Sequence, residues 1–177
     1  MGDPRRLKKK YKKPKHPFQK DRMMEELEFL GKYGLRNKRE YWKLRTTLGN
    51  WRNIARQSRT LSKERALEVQ QTLIRKLDRL GIIGSEAKFE DILLLTVEDV
   101  IKRRLQTLVY DKGLASTIYQ ARQFITHGHI QVGGKKINAP SYLVKREEED
   151  FIGFAPNSPL SEVKTNTKTK AKAKEKS

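Results

Sequence analysis

A chain of 177 residues with 40 Lys and Arg against 21 Asp and Glu carries a formal charge of +19, and only 36% of it is hydrophobic; this allows one ordinary domain or two small ones with modest cores. No apolar run approaches the roughly 20 residues of a membrane span, and neither an apolar stretch nor a small-residue cleavage site follows the basic N-terminus, so a soluble, intracellular protein without a membrane partner is expected. The lack of Cys excludes disulfides, thiol nucleophiles, iron–sulfur clusters and the common structural zinc sites, and three scattered His show no metal spacing, so neither cofactor nor metal is expected.

Residues 1–20 hold nine basic residues and one acid. Arg5, Arg6, Lys8, Lys9, Lys10, Lys12, Lys13 and Lys15 are broken by Pro4, Pro14 and Pro17, a segment that cannot bury apolar surface and reads as a disordered, extended basic arm. Tyr11 and Phe18 within it suit either stacking on bases or pinning the arm to protein. Asp21 is placed to cap a short helix with Met23, Met24, Leu27 and Leu30 at helical spacing, ending near Gly31 or Gly34. Asn37 with Glu40 forms a capping-box signature, and Tyr41, Leu44, Leu48, Trp51 and Ala55 continue as one apolar stripe, with Arg45, Arg52, Arg56 and Arg59 opposite. Trp42 and Trp51 read as core. Ser62 opens a third helix with Ala66, Leu73, Leu77 and Leu80 inward and Gly81 as its stop, followed by an apolar patch at Ile92 to Leu95.

Thr96 with Asp99 repeats the capping-box pattern. Val97, Val100, Ile101, Leu105, Leu108 and Val109 then predict one continuous helix halting at Gly113, with Leu114 in the position of a glycine C-cap contact. Ser116 is expected to open a second short helix with Ile118, Ala121 and Ile125 inward and Tyr119, Arg122, Gln123 and Thr126 outward. His129 to Val132 alternates as a strand, Gly133-Gly134 is a two-residue turn signal, and Lys135-Lys136-Ile137 reads as the second strand of a hairpin. Tyr142 to Val144 and Phe151 to Phe154 suggest two further short strands. The Glu147 to Asp150 run reads as a solvated acidic turn, and residues 161–177, rich in Ser, Thr and Lys, as a disordered tail.

The charge is not spread evenly: residues 101–145 carry eight basic residues and one acid, whereas residues 61–100 carry six and eight. Basic blocks flanking a near-neutral middle point to a polyanionic partner, because each phosphate neutralised by Lys or Arg releases condensed counterions. Two helices followed by a hairpin bearing His129, Gln131, Lys135 and Lys136 suit a folded RNA. The A-form duplex hides its major groove and is gripped through phosphates, ribose hydroxyls and shape. Arg104 lies at the edge of its apolar stripe, where pairing with Asp99 or Asp111 competes with RNA contact. No phosphate-cradling Gly-Lys loop, activated nucleophile or tuned carboxylate pair is present, so no enzyme and no small-molecule substrate are expected.

Arg103-Arg104-Leu105, Val109-Tyr110, Gly113, Ser116, Ala121-Arg122-Gln123, His127-Gly128-His129-Ile130, Val132, Asn138 and Pro140-Ser141-Tyr142 resemble the RNA-binding module named after the fourth protein of the small ribosomal subunit, over about Lys102 to Phe154. Upstream, Pro17-Phe18, Arg22, Glu26-Leu27, Gly31 and the run Tyr33 to Glu40 resemble the N-terminal region of that ribosomal protein family in its archaeal and eukaryotic branch. The zinc-holding cysteines of many bacterial members are absent. The resemblance implies direct binding to small-subunit ribosomal RNA early in assembly, the third and fifth small-subunit proteins as neighbours, an influence on translational accuracy, and a cytoplasmic, ribosomal location. It also implies RNA-facing roles for Arg103, Arg104, Lys112, Ser116, Arg122, Gln123, His127, His129, Lys135 and Lys136; the basic character of the upstream half adds Arg36, Lys38, Arg39, Arg5, Arg6, Lys8 and Lys9.

The expected architecture is therefore a mainly α N-terminal half (residues 21–101) behind the basic arm (1–20), then a small α+β RNA-binding module (102–160) of two helices, a hairpin and short strands, and the Lys-rich tail (161–177). The alternatives in other classes are the targeting subunit of an RNA-modification enzyme, such as a pseudouridine synthase carrying the same module, and a non-specific DNA-coating protein. The second would favour a groove-filling recognition helix, which the sequence does not offer.

Overall fold

A computed structural model describes residues 9–84 and 89–160. Arg5, Arg6, Lys8 and the expected tail at 161–177 lie outside the described residues. The chain divides into two compact units between Lys102 and Arg103. As expected, the described residues are mostly helical with one small antiparallel sheet. Among the described residues no helix is long and apolar enough to cross a membrane.

The first unit is built around its longest helix. After α1 (Lys20–Lys32), α2 (Lys38–Ser58) starts where Asn37 Oδ1 accepts the Glu40 backbone N–H at 3.3 Å, the cap that the sequence signature requires. Tyr41, Leu44, Leu48, Trp51 and Ala55 are all buried, and against α2 pack α1, α3 (Lys63–Arg79), α4 (Asp91–Leu94) and α5 (Val97–Lys102). Phe29 of α1 meets Tyr41 with ring centroids 5.4 Å apart. Two expectations shift. The N-cap of α1 is Gln19, so Asp21 sits inside the first turn, where a carboxylate favours the positive end of the helix dipole. Arg52, expected on the solvent face with Arg45 and Arg56, is half-buried and donates Nη2–H to the Leu95 carbonyl.

The predicted continuous helix from Val97 to Val109 is two helices. The chain leaves helical geometry at Arg104 (φ −74°, ψ 141°) and resumes as α6 (Leu105–Asp111). In the gap Arg104 bridges Leu143: Leu105 N–H donates to the Tyr142 carbonyl at 2.8 Å and Val144 N–H to the Arg103 carbonyl at 3.0 Å. The apolar spacing runs unbroken across the gap because two cores are served in succession. Val100 and Ile101 are buried on α5, which packs on α2, whereas Leu105, Leu108 and Val109 belong to the core of the second unit. This bridge is all that forms where a strand at Tyr142–Val144 was expected.

In the second unit α7 (Ile118–Thr126) packs on α6. Its cap is Thr117 and not Ser116: Thr117 Oγ1 accepts the Gln120 N–H at 3.1 Å while Gln120 Oε1 accepts the Ser116 N–H at 2.7 Å, a capping box displaced by one residue. The sheet has the order β2-β1-β3, all antiparallel, from β1 (Ile130–Val132), β2 (Lys135–Lys136) and β3 (Ile152–Phe154). Gly133 (φ 56°) and Gly134 (φ 78°) supply the two left-handed residues of the hairpin turn, which matches the twist of the strands it joins. Ile130 and Val132 face the core beside Ala121, Ile125, Val144 and Ile152.

Gly128 ends α7 with φ 73°, and a Cβ there would lie 3.2 Å from Asn138 Oδ1. Left-handed strain adds to that close approach, so Gly128→Ala is expected to lose about 1–2 kcal/mol of stability. Urea unfolding of the variant beside the parent checks this, and an unchanged midpoint would mean the turn relaxes freely.

Candidate nucleic-acid interface

Helix α7 and the hairpin carry the exposed polar rim of the second unit. Ala121 and Ile125 point inward, which leaves Tyr119, Gln123 and Thr126 on the outer face, all exposed. The Gly128 turn brings His127 and His129 together, ring centroids 6.4 Å apart, with His129 N–H donating to the Phe124 carbonyl at 2.9 Å. His127 is exposed. His129 is half-buried, its Nδ1 3.1 Å from Ser158 Oγ, which fixes the ring and leaves Nε2 as its other polar pole. Because Ile130 and Val132 face inward, His129 and Gln131 take the opposite side of the strand, and the register pairs Gln131 with Lys136 and Val132 with Lys135. Directly opposed residues share a face, so Lys136 stands beside Gln131. Both lysines are exposed, and Ser116 is exposed at the N-terminal end of α7.

Other sequence-predicted residues are placed differently. Arg104 is 2% exposed, inside the unit at the bridge to Leu143, and its carbonyl accepts the Leu108 N–H at 3.0 Å. Arg122 is half-buried and donates Nη1–H to Gln106 Oε1 at 3.3 Å. Arg103 and Lys112 converge on the acidic run: Arg103 Nη1 lies 2.6 Å from Glu149 Oε2, and Lys112 Nζ donates to the Glu149 carbonyl. Of that run, expected as a solvated turn, Glu147 and Asp150 are exposed, but Glu148 and Glu149 are half-buried and bonded into the unit. A single 3-10 turn, Arg146–Glu148, lets Glu148 Oε2 accept Tyr142 O–H at 2.8 Å and Lys145 N–H at 3.3 Å. Burial alone would push the Glu148 carboxyl up, but the bonds from Tyr142 and Lys145 outweigh it and hold it below the usual carboxylate range. The same bond, with some burial, pushes the Tyr142 phenol up.

In the first unit Lys9, Arg36 and Arg39 are exposed, whereas Lys38 is half-buried with Nζ 3.4 Å from Glu26 Oε2. Tyr11 lies against Trp42, centroids 6.0 Å apart, and Lys12 N–H donates to Thr46 Oγ1 at 3.0 Å. Of the two uses open to Tyr11, the structure has it pinning the arm. Phe18 is 90% exposed. Glu26, for which the sequence alone suggested no role, is the buried centre that Arg22, Lys38 and Trp42 surround. Its signal was a Glu three residues after Met23 and four before Leu30, on the apolar side of α1. Among the described residues, His, Asp and Glu nowhere gather in threes that could hold a metal ion.

A helix pair and a Gly-turned hairpin leave Gln123, His127, Lys135 and Lys136 exposed, and residues 103–150 match the S4 domain. The chain is 50% identical over 161 residues to the small ribosomal subunit protein uS4 of Hyperthermus butylicus, covering 91% of this chain and 92% of that one. It is 47% identical over 159 residues to the protein of the same name from Ignicoccus hospitalis (90% and 96% covered) and 49% over 160 residues to that of Methanothermobacter thermautotrophicus (90% and 94%). The chain belongs to the uS4 family of small ribosomal subunit proteins. All three relatives are archaeal, the branch to which the N-terminal motif pointed.

Proposed function

We propose that this chain is a structural, non-catalytic constituent of the small ribosomal subunit that binds the subunit's RNA directly and early in assembly. The third and fifth small-subunit proteins are its neighbours on the cytoplasmic ribosome, and through the fifth it influences decoding accuracy. The observation that carries the reading is that Gln123, His127, Lys135 and Lys136 are all exposed on the matched domain. Ser116 and His129 extend that set. Lys112 and Arg103 join it where phosphate displaces their contacts to Glu149, Arg104 and Arg122 support it from within, and Arg36, Lys38 and Arg39 with the arm residues Arg5, Arg6, Lys8 and Lys9 supply the second grip.

Binding to deproteinised small-subunit RNA, followed over a range of salt concentrations, tests this. With about eight phosphates contacted, the log–log slope is expected near −6 to −7. A slope near zero, or equal affinity for duplex DNA, overturns the proposal. In stepwise reconstitution, withholding the protein should leave later-binding proteins off the RNA.

A further inference from the structure

The basic arm and α2 enclose a groove of about 590 Å³ whose lining includes Lys12, Lys13, Lys15, Arg45 and Arg56 and no carboxylate. Like charges gathered this closely repel one another unless an anion lies between them. Among the described residues, no carboxylate forms an ion pair with Lys12, Lys13, Lys15 or Arg45. The arm is fixed on the other side of the groove by Lys12 N–H on Thr46 and by Arg22, whose Nη2 donates to the carbonyls of His16 and Pro17 at 2.8 Å each. The cations are therefore presented by a built wall and not by a loose tail.

The floor of the groove is the stripe of α2 next to its buried face, from Trp42 through Arg45, Gly49 and Asn53 to Arg56, about 21 Å long at the α-helical rise. Gly49 stands in the middle of a 21-residue helix, where glycine is the poorest choice short of proline. No internal packing demands it: a Cβ at Gly49 would meet nothing within 4 Å, and its φ is not among the positive values. The helix gives up stability at one exposed position, and that position opens into a groove walled by cations. A missing side chain lets a partner's backbone approach the helix closely, as glycines do elsewhere at phosphate sites.

We propose that this groove grips the phosphodiester backbone of an RNA strand, with Gly49 as the point of closest approach and Lys13, Lys15, Arg45 and Arg56 neutralising the phosphates on either side. The proposal rests on the RNA-binding reading above and adds to the helical unit a contact separate from Arg36, Lys38 and Arg39 and independent of the α7–hairpin residues.

The test uses the full chain and small-subunit RNA. Gly49→Ala should raise the melting temperature by about 2–8 °C, from the gain in helix propensity, and weaken RNA binding about threefold; Gly49→Leu should weaken it tenfold or more without unfolding the chain. Stability and binding moving in opposite directions is the signature. The double variant Lys13→Gln/Arg45→Gln should flatten the log–log salt slope by about 2. Because the chain has no Cys, Gln57→Cys, exposed one turn beyond Asn53, offers a unique tether for an iron chelate, whose hydroxyl radicals should cut one short contiguous stretch of the RNA. If the parent chain binds with steep salt dependence but both Gly49 variants bind equally well and the tether cuts nothing, the groove is not a contact and only this proposal falls. It falls equally if Gly49→Ala lowers the melting temperature, or if an acidic peptide occupies the groove while the variants leave RNA binding unchanged. If the parent chain does not prefer small-subunit RNA, both readings fall together.

Discussion

Glu26→Ala is expected to remove about 3–5 kcal/mol from the stability of the helical unit. The side chain is 1% exposed. Its Oε1 accepts Arg22 Nη1–H at 2.6 Å and Trp42 Nε1–H at 3.0 Å, and its Oε2 lies 3.4 Å from Lys38 Nζ. Deleting the carboxylate leaves three donors facing a hole, two of them largely out of water, and an uncompensated buried charge costs more than the pair it came from ever contributed. The effect reaches past α1 and α2, because Arg22 also holds the arm through His16 and Pro17. Removing each partner should follow exposure. Arg22, with a 13% exposed side chain, comes next to Glu26; Lys38, at 27%, comes last, at about 1 kcal/mol or less. Urea unfolding read by Trp fluorescence measures all three, and a Glu26→Ala loss below about 1 kcal/mol would show that the cluster is incidental to the fold.

The same group sets an acid limit. Burial alone would raise the Glu26 carboxyl, but the bonds from Trp42 and Arg22, the Arg22 charge and Lys38 together hold it below its ordinary value of 4.5. A carboxyl whose folded value is depressed contributes stability that is fully present above the unfolded value and is lost as pH falls through the folded one. The gap between the parent and Glu26→Gln should therefore be constant above about pH 5.5 and close as the pH drops below 4.5.

Local chemistry made most of the first unit legible. The Asn37 cap and the Tyr41 to Ala55 stripe are short-range features, and the structure keeps both. The hairpin was readable for the same reason, since Gly133-Gly134 carries its turn geometry with it. What stayed hidden depends on residues far apart in the chain. Nothing between Val97 and Val109 announces a break, because the two ladder bonds that replace the helix come from Tyr142 and Val144. Arg104 read as the edge of one continuous stripe for that reason, whereas in the structure it pairs with Leu143 and lies inside the unit. Arg103 and Lys112 looked free because their partner, Glu149, is about 40 residues away. Charge counting finds the cations; it cannot say which of them already have an anion.

That distinction separates the cations by what their loss does to RNA binding. For Lys135→Gln/Lys136→Gln, two exposed charges vanish from a hairpin whose core contacts come from Ile130 and Val132, so folding should be unchanged within about 0.5 kcal/mol. If each lysine neutralises one phosphate, the log–log salt slope becomes shallower by about 2, and near 0.15 M salt the affinity falls about 30-fold. Removing Arg104 should do the reverse: it lowers the unfolding midpoint and leaves the slope alone, because a side chain 2% exposed meets no phosphate. Glu149→Gln supplies the opposite sign. It takes away the anion that Arg103 now faces at 2.6 Å, so RNA no longer competes with a carboxylate for that guanidinium and binding should strengthen several-fold. Filter binding at four or five salt concentrations resolves all three. An unchanged slope in the double lysine variant would move the phosphate contacts off the hairpin, and a flattened slope on loss of Arg104 would mean the unit opens to admit RNA.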